Sequence, residues 1–177
     1  EALLFALDAT GKKKSYGPYR VRRDLYGRVI GPPWTVTIGA VGPGTDGVCF
    51  LTTLGYIHVV QDTGAALSNF GPYPLRARDS ITYATEVCDT GYSPLLYYTG
   101  SDSVAETTAD PEEGFFFCGE NAGSKQVFFA KSFQTGVEAQ CKSGWPFGYG
   151  AQASRSWPAL QFLGGTTYLH IATDNDV

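Results

Sequence analysis

Two histidines, four cysteines and scattered carboxylates are the residues of this sequence that could carry out chemistry. A ribonuclease-like acid–base pair would need His58 and His170 to converge near a basic residue. Each instead stands within an apolar run, which favours an outward-facing or hydrogen-bonded strand histidine. No GxSxG nucleophile elbow occurs, so a Ser–His–Asp triad has no local signature. The histidines therefore predict no catalysis.

The carboxylates and the metal-binding patterns point the same way. Most acidic residues lie in turns, whereas a glycosidase needs two acids facing each other across a cleft. Glu86 and Glu138 stand in strand-like runs, where exposed strand faces account for both. The sequence has no HExxH motif and no EF-hand loop. We expect no enzyme, no metal site and no cofactor.

The four cysteines favour a structural role. Their positions, 49, 88, 118 and 141, are too widely spaced for a zinc site, whose ligands usually come in close pairs. An even number suits a disulfide framework in an oxidising compartment. Three connectivities are open, and we favour the sequential one, Cys49–Cys88 and Cys118–Cys141. In the chain-entropy model each such bridge contributes roughly 3–4 kcal/mol.

Aromatic residues are the remaining functional signal, at 14% of the chain. Several cluster beside Gly and Pro, where loops expose them, and flat rings stack on sugars with little loss of entropy. A glycan-binding surface is one interpretation, and the filling of a small β core is the other. The candidate binding residues are Tyr92, Tyr97, Tyr98, Trp145, Tyr149 and Trp157, with Phe147 in the same cluster.

The net charge of −4 conceals an uneven distribution. Residues 1–28 carry seven basic and three acidic side chains, and the rest of the chain carries six basic and fourteen acidic ones. A basic strip with interleaved tyrosines could bind nucleic acid or an acidic glycan. A solvated hairpin whose charges prevent edge-to-edge aggregation explains the strip as well. The pI near 5.1 argues against dedicated nucleic-acid binding, so we expect no nucleic-acid partner.

Short strands must position these residues. Apolar or alternating runs closed by Gly, Pro, Asp or Asn recur along the chain, and helical periodicity is almost absent. About a dozen short strands with no helix predict an all-β barrel, trefoil or sandwich with two disulfides. The runs are Ala2–Leu7, Trp34–Val41, Val48–Thr53 and Tyr56–Val60 (a hairpin around Leu54-Gly55), Ser80–Val87, Pro94–Thr99, Phe115–Cys118, Lys125–Ala130, Phe147–Ala153, Ala159–Leu163 and Thr166–Ala172.

The chain is predicted to form a single domain over residues 1–177, a length that can bury its own core. The acidic segment Ser101–Gly114 is predicted to be a surface loop rather than a linker. No apolar run approaches the roughly 18 residues that span a bilayer, so we expect no membrane partner. The start at Glu1, without Met or a basic and apolar leader, predicts a mature, processed chain.

Several segments resemble the fungal phialide cell-wall protein family, which includes hypersensitive-response inducers and IgE-binding allergens. Phe115–Ala130 (FFFCGENAGSKQVFFA) and Phe147–Ala151 are similar to its paired strands around a cysteine. His58–Leu67 resembles its "VYVD-TGAAL" strand and turn, and Phe5–Ala9 stands in the place of its first strand. The resemblance covers residues 3–153 in patches and does not extend to Trp157–Val177. It implies a secreted, wall-associated, disulfide-bonded β protein without catalytic residues, with Cys118–Cys141 as one bridge.

A second similarity, through Leu7–Gly11 and the four cysteines, is to plant Kunitz-type inhibitors, whose second bridge normally closes a shorter loop. Pro74–Arg78 could offer an arginine to a trypsin-like pocket. We therefore expect a secreted, cell-wall-associated or extracellular, elicitor-like protein that recognises a cell-wall or host glycan or protein by its surface. A Kunitz-like inhibitor or a glycan-binding lectin is the alternative, and the oligomeric state is left open.

Overall fold

The computed structural model describes residues 1–38, 45–69, 73–76, 86, 88–98, 114–131, 139–140, 146–164 and 166–173. This part of the chain consists mainly of strands, which confirms the all-β prediction. The expectation of no helix was wrong for one helical turn, α1 (Arg23–Tyr26). The strands are β1 (Ala2–Leu4), β2 (Tyr19–Val21), β3 (Val29–Ile38), β4 (Thr45–Thr52), β5 (Tyr56–Asp62), β6 (Leu67–Asn69), β7 (Tyr73–Arg76), β8 (Thr90–Gly91), β9 (Leu96–Tyr98), β10 (Gly114–Asn121), β11 (Ser124–Lys131), β12 (Ala139–Gln140), β13 (Phe147–Gly150), β14 (Ala159–Leu163) and β15 (Thr166–His170).

These strands form two large sheets and two small ones. Sheet I has the order β12-β7-β5-β4-β3, with β6 also paired to β5, and sheet II has the order β13-β11-β10-β8, with β9 also paired to β10. The small sheets are antiparallel pairs: β1–β2, here called the N-terminal hairpin with its connecting loop, and β14–β15, the C-terminal hairpin. No sheet among the described strands closes on itself, so the barrel alternative is not seen.

One buried cluster, the main core, contains side chains of both large sheets. Leu51 and Ile57 belong to sheet I, Phe117 and Phe128 belong to sheet II, and all four have no exposed surface. The Phe117 and Phe128 rings stack with centroids 5.2 Å apart. Because a fully buried side chain of this kind contributes about 1.5–3 kcal/mol relative to an exposed one, this cluster holds the two sheets together.

Each large sheet is also covered on its other face. The N-terminal hairpin covers sheet I, where Val21 packs with Phe50 and Val60. The C-terminal hairpin covers sheet II, and the side chains in contact are Leu160 and Leu169 of the hairpin and Tyr98, Phe116 and Phe129 of the sheet. The central strands are therefore buried on both faces, which explains why their sequences are continuous apolar runs and not alternating ones.

The hairpin predicted around Leu54-Gly55 is confirmed, since β4 and β5 pair antiparallel across it. The strand predicted from Trp34 instead begins at Val29, and its register against β4 shifts between Ile30 and Trp34. Pro32-Pro33 lies in this interval, and proline has no N–H to donate to a ladder, which accounts for the irregularity.

Other predictions fall partly or wholly outside the described residues. The predicted strand 80–87 does so except for Glu86, which is exposed, and so does the predicted loop 101–114 except for Gly114. The single-domain interpretation stays a prediction, although the main core joins residues from Cys49 to Ala130. In the described part of the chain, no helix has the length and apolarity needed to cross a membrane.

Candidate functional site

His58 lies in the interior, between sheet I and the N-terminal hairpin. Its Nδ1 is 2.9 Å from the Tyr19 hydroxyl, and its ring stacks on Phe50 with centroids 5.0 Å and planes 6° apart. Tyr26 meets the ring edge-on at 5.0 Å. Nε2 has no hydrogen-bond partner among the described residues. Burial lowers the pKa of His58 to about 4, so the imidazole is neutral near neutral pH.

His170 has the opposite environment. It is exposed on the C-terminal hairpin, and its Nε2 is 2.9 Å from Gln161 Oε1. The structure therefore does not bring the two histidines together as an acid–base pair, since one is enclosed beneath the first hairpin and the other faces solvent on the last.

A second buried polar group surrounds Cys118, on the face of sheet II that the C-terminal segment covers. Ser93 Oγ accepts a hydrogen bond from the Cys118 backbone N–H at 2.8 Å, and the backbone N–H of Ser154 donates to the Tyr149 hydroxyl at 3.3 Å. Burial raises the pKa of the Cys118 thiol, although the hydroxyls of Ser154, Ser93 and Tyr149 act against this. Because the thiolate is the reactive form, this cysteine is not an activated nucleophile.

Cys49 and Cys88 both belong to the main core. Burial raises the pKa of the Cys49 thiol, and Cys88 Sγ lies 3.5 Å from the Thr90 carbonyl oxygen. No disulfide joins Cys49, Cys88 and Cys118 to one another, so the predicted Cys49–Cys88 bridge is not seen. Each of these sulfurs is packed inside the protein instead. Cys118 carries no disulfide, so the predicted Cys118–Cys141 bridge is not seen either, although Cys141 itself lies outside the described residues.

Tyr92 belongs to a half-buried polar bridge on sheet II. Its hydroxyl donates to the Glu120 carboxylate, which also pairs with Lys125. The Lys125 ammonium lies 2.9 Å from the Tyr92 hydroxyl and 5.1 Å from the centre of its ring. Lys125 and Glu120 thus both engage the hydroxyl end of Tyr92, so this hydroxyl is already hydrogen-bonded within the protein.

The remaining predicted binding residues differ in accessibility. Tyr98 is 8% exposed and contacts Phe116 and Phe129, and Tyr97 packs against the main core. Tyr149 is half-buried near Cys118, and Trp145 lies outside the described residues. Trp157 is 51% exposed. Phe147, of the same aromatic cluster, is 55% exposed. The role of these residues in binding stays a prediction.

Trp157 is separated by Pro158 from the start of the C-terminal hairpin, whose outward side is here called the C-terminal face. Alternation along the strands sends Gln161, Tyr168 and His170 to this side, and all three are exposed. Gln161 and Tyr168 are direct cross-strand partners, so their side chains are neighbours. An aromatic ring beside an amide and an imidazole can stack on a sugar and hydrogen-bond its hydroxyls.

The sequence-based prediction missed Tyr168 and Gln161. The available signal was the alternation in Thr166–His170, where Tyr168 falls on the side opposite to Leu169. Periodicity alone could not say which side faces solvent, because Leu169 and Tyr168 are both apolar enough to be buried.

A cavity of about 320 Å³ opens between the N-terminal hairpin and sheet I. This volume is at the small end of the range of ligand pockets. Its one charged group is Asp62, which accepts hydrogen bonds from the Tyr16 hydroxyl at 2.6 Å and the Gly64 N–H at 2.8 Å. These bonds and the nearby Lys14 lower the pKa of Asp62. The lining residues are Leu4, Phe5, Ala6, Leu7, Pro33, Thr35, Gly47, Val48, Val60, Asp62 and Leu67.

Within the described residues, no group of three or more His, Cys, Asp or Glu side chains is placed to hold a metal ion. Comparison with protein-family models, with curated proteins and with solved structures finds no match to this chain. The resemblance to fungal phialide cell-wall proteins therefore rests on the sequence segments alone and stays a prediction.

Proposed function

We propose that this protein is a secreted, non-catalytic recognition protein that binds a cell-wall or host glycan through its C-terminal face. The observation that carries the proposal is the exposed Tyr168 ring, which lies directly beside Gln161 and on the same face as His170. The opposite side of this hairpin is anchored by Leu160 and Leu169 on sheet II. The exposed groups therefore sit on a firm support, which reduces the entropy lost on binding.

The environment of the titratable groups supports a non-catalytic role. His58 is enclosed by aromatic rings and its pKa is low because of burial. When Cys49 and Cys118 are reduced, the pKa values of their thiols are raised, which favours the unreactive protonated form. In the bridges proposed below they have no thiol at all. A general acid or base works best with a pKa near the working pH and within reach of substrate, and these groups are buried away from solvent.

The finer details of the fold belong to the same proposal. We propose a two-layer sandwich held by the main core, with the bridges Cys49–Cys88 and Cys118–Cys141 formed in an oxidising compartment. Support for the first bridge is that both sulfurs lie in one buried cluster. Intact-mass measurement of the protein from an oxidising host, alkylated in denaturant without reductant, tests this. A mass that shows four alkylated cysteines would overturn the disulfide proposal. A mass that shows no alkylated cysteine would support it.

Binding to wall polysaccharides tests the glycan proposal. A panel of soluble chitin, glucan and mannan oligosaccharides should contain a ligand whose affinity falls at least about tenfold, or about 1.4 kcal/mol, in Trp157→Ala and in Tyr168→Ala. Phe5→Ala is the matched control, since Phe5 is an aromatic residue exposed on the other hairpin. Equal affinity of all variants, or no binding to any glycan, would contradict the proposal.

A Kunitz-like inhibitor is less well supported. Pro74 and Leu75 lie in β7, where β5 and β12 flank the strand, and Leu75 has no exposed surface. An inhibitory loop must instead present its side chains to the protease. Addition of increasing amounts of this protein to trypsin should leave the trypsin activity unchanged. Stoichiometric inhibition would favour the inhibitor function over glycan binding.

A further inference from the structure

We propose that the outward face of the N-terminal hairpin docks on an anionic lipid surface. This face carries an apolar row in which Leu3, Phe5 and Leu7 are 46%, 41% and 57% exposed. Phe5 and Leu7 also line the cavity at the edge of the hairpin. The intervening Leu4 packs into the cluster beneath the hairpin, as the alternation of a strand requires. A covered sheet normally turns polar side chains outward, so three exposed apolar residues in one row indicate an interaction surface.

Basic side chains lie on the same face as the apolar row. Leu3 is the cross-strand partner of Arg20, and Leu7 is the bridge partner of Lys13. Direct partners across an antiparallel pair share a face of the sheet. The Lys13 ammonium also lies 4.2 Å from the centre of the Phe5 ring. Apolar groups with adjacent cations are the combination that binds the interface of an anionic bilayer.

The lysines of the hairpin remain available for such a partner. Among the residues that the structure describes, Lys12, Lys13 and Lys14 form no ion pair, whereas Arg20 pairs with Glu1. The acidic group at the hairpin tip, Asp8, accepts hydrogen bonds from the backbone of its own loop. Clustered lysines of this kind are attracted to anionic headgroups within a Debye length of the surface.

The apolar row distinguishes lipid from other polyanions. The aliphatic side chains of Leu3 and Leu7 offer no flat face to a sugar or a base, whereas both gain by leaving water for hydrocarbon. The expectation of no membrane partner rested on the lack of a spanning segment in the sequence, and docking on the surface of a bilayer needs none. This proposal concerns the hairpin opposite to the proposed glycan-binding face and stands independently of it.

Co-sedimentation with phosphatidylcholine vesicles, with and without phosphatidylserine, tests the proposal. We expect binding only to the anionic vesicles, and weaker binding as the salt is raised above about 0.15 M. Lys13→Glu and Leu7→Ser should each lower the partition coefficient at least about tenfold. In Leu7→Trp, the indole fluorescence should shift to the blue on anionic vesicles. Electrostatic attraction without insertion of the side chain into the bilayer would not cause this shift.

Two matched controls isolate the face. Leu163→Ser removes an equally exposed leucine from the C-terminal hairpin, and Arg23→Glu makes the same charge change on α1. Both should change vesicle binding by less than about threefold, and far-ultraviolet circular dichroism should be unchanged in every variant. Binding of DNA or polygalacturonate in place of vesicles, loss of a dimer in Leu7→Ser without vesicle binding, or equal vesicle binding by all variants would overturn the proposal.

Discussion

The two terminal hairpins each cover the outer face of a large sheet, but the side chains beneath them differ in polarity. Under the N-terminal hairpin, the buried groups include the His58 imidazole and the Tyr19 hydroxyl, which are hydrogen-bonded to each other. Under the C-terminal hairpin, the cluster on sheet II consists of aromatic and aliphatic side chains, and the Phe116 and Phe129 rings lie 4.4 Å apart. We call the contact between the N-terminal hairpin and sheet I the first junction, and that between the C-terminal hairpin and sheet II the second junction. The polar contact makes the stability of the first junction sensitive to protonation, whereas the second junction depends mainly on apolar burial.

The outward sides of the two hairpins differ in the reverse sense. The N-terminal hairpin exposes an apolar row with lysines, and the C-terminal face exposes an aromatic ring with an amide and an imidazole. The N-terminal hairpin therefore has a polar contact beneath it and an apolar row on its outward side, whereas the C-terminal hairpin has apolar contacts beneath it and polar groups on its outward side. This contrast is why we assign different partners to the two ends of the chain.

The largest expected effect comes from removing the apolar support of one hairpin. Phe129 is 2% exposed, and Phe129→Ala should cost about 3–5 kcal/mol because it leaves a cavity beneath the C-terminal hairpin. Hydrogen exchange should show loss of protection in β14 and β15 while β1 and β2 keep theirs. Phe50→Ala, equally buried under the N-terminal hairpin, is the matched variant and should show the opposite pattern. Identical patterns would mean that the hairpins do not dock independently.

The next effect is the pH dependence of the first junction. His58 has a pKa of about 4 in the folded protein against 6.5 unfolded, so the unfolded chain binds a proton first as the pH falls. The stability is therefore full above about pH 6.5 and should fall by about 3 kcal/mol by pH 4. Urea unfolding at pH 7, 5.5 and 4.5 measures this loss.

His58→Phe keeps an aromatic ring in the site and should remove most of the pH dependence between 6.5 and 4. The carboxylates with lowered pKa values, Asp8, Asp24 and Asp62, titrate below this window and do not obscure it. An unchanged pH profile in the variant would show that another group is responsible.

A smaller effect is expected from the hydrogen bond itself. Tyr19→Phe removes the hydroxyl that contacts His58 Nδ1 and leaves this nitrogen buried without its partner, at a cost of about 1–2 kcal/mol. Tyr26→Phe is the control, since the Tyr26 ring also contacts His58, and it should cost less than about 0.5 kcal/mol. Equal costs in denaturant unfolding would mean that the hydrogen bond does not support the junction.

The smallest effects belong to the tips of the hairpins. Gly11 and Gly164 have φ values of +79° and +60°, and a Cβ on either would meet nothing within 4 Å. Gly11→Ala and Gly164→Ala should therefore each cost about 1 kcal/mol from backbone strain alone. Thermal unfolding measures both, and a much larger cost at one tip would show that its hairpin carries more of the cooperative structure.

Local patterns predicted the strands better than they predicted their surroundings. The hairpin around Leu54-Gly55 follows from two apolar runs and a glycine turn, which are properties of neighbouring residues. The early start of β3 at Val29 was missed because Gly31-Pro32-Pro33 is typical of a loop, and only pairing with β4 extends the strand through it.

Local sequence patterns also failed to predict which candidate binding residues are exposed. Tyr98 and Trp157 both qualify as exposed aromatics by their neighbours in the sequence, yet one is buried on sheet II and the other is exposed. The difference arises because the C-terminal hairpin covers the outer face of that sheet, and no local pattern records this long-range contact.

By itself, the sequence determined the all-β class, the confirmed central hairpin and the concentration of positive charge in residues 1–28, because each depends on composition or on residues close together in the chain. Only the tertiary structure decided which face of each strand meets solvent, that His58 is enclosed while His170 is exposed, and that the apolar row of the N-terminal hairpin lies beside Lys13. These features depend on which sheet each hairpin covers, and that choice is made by contacts between residues far apart in the chain.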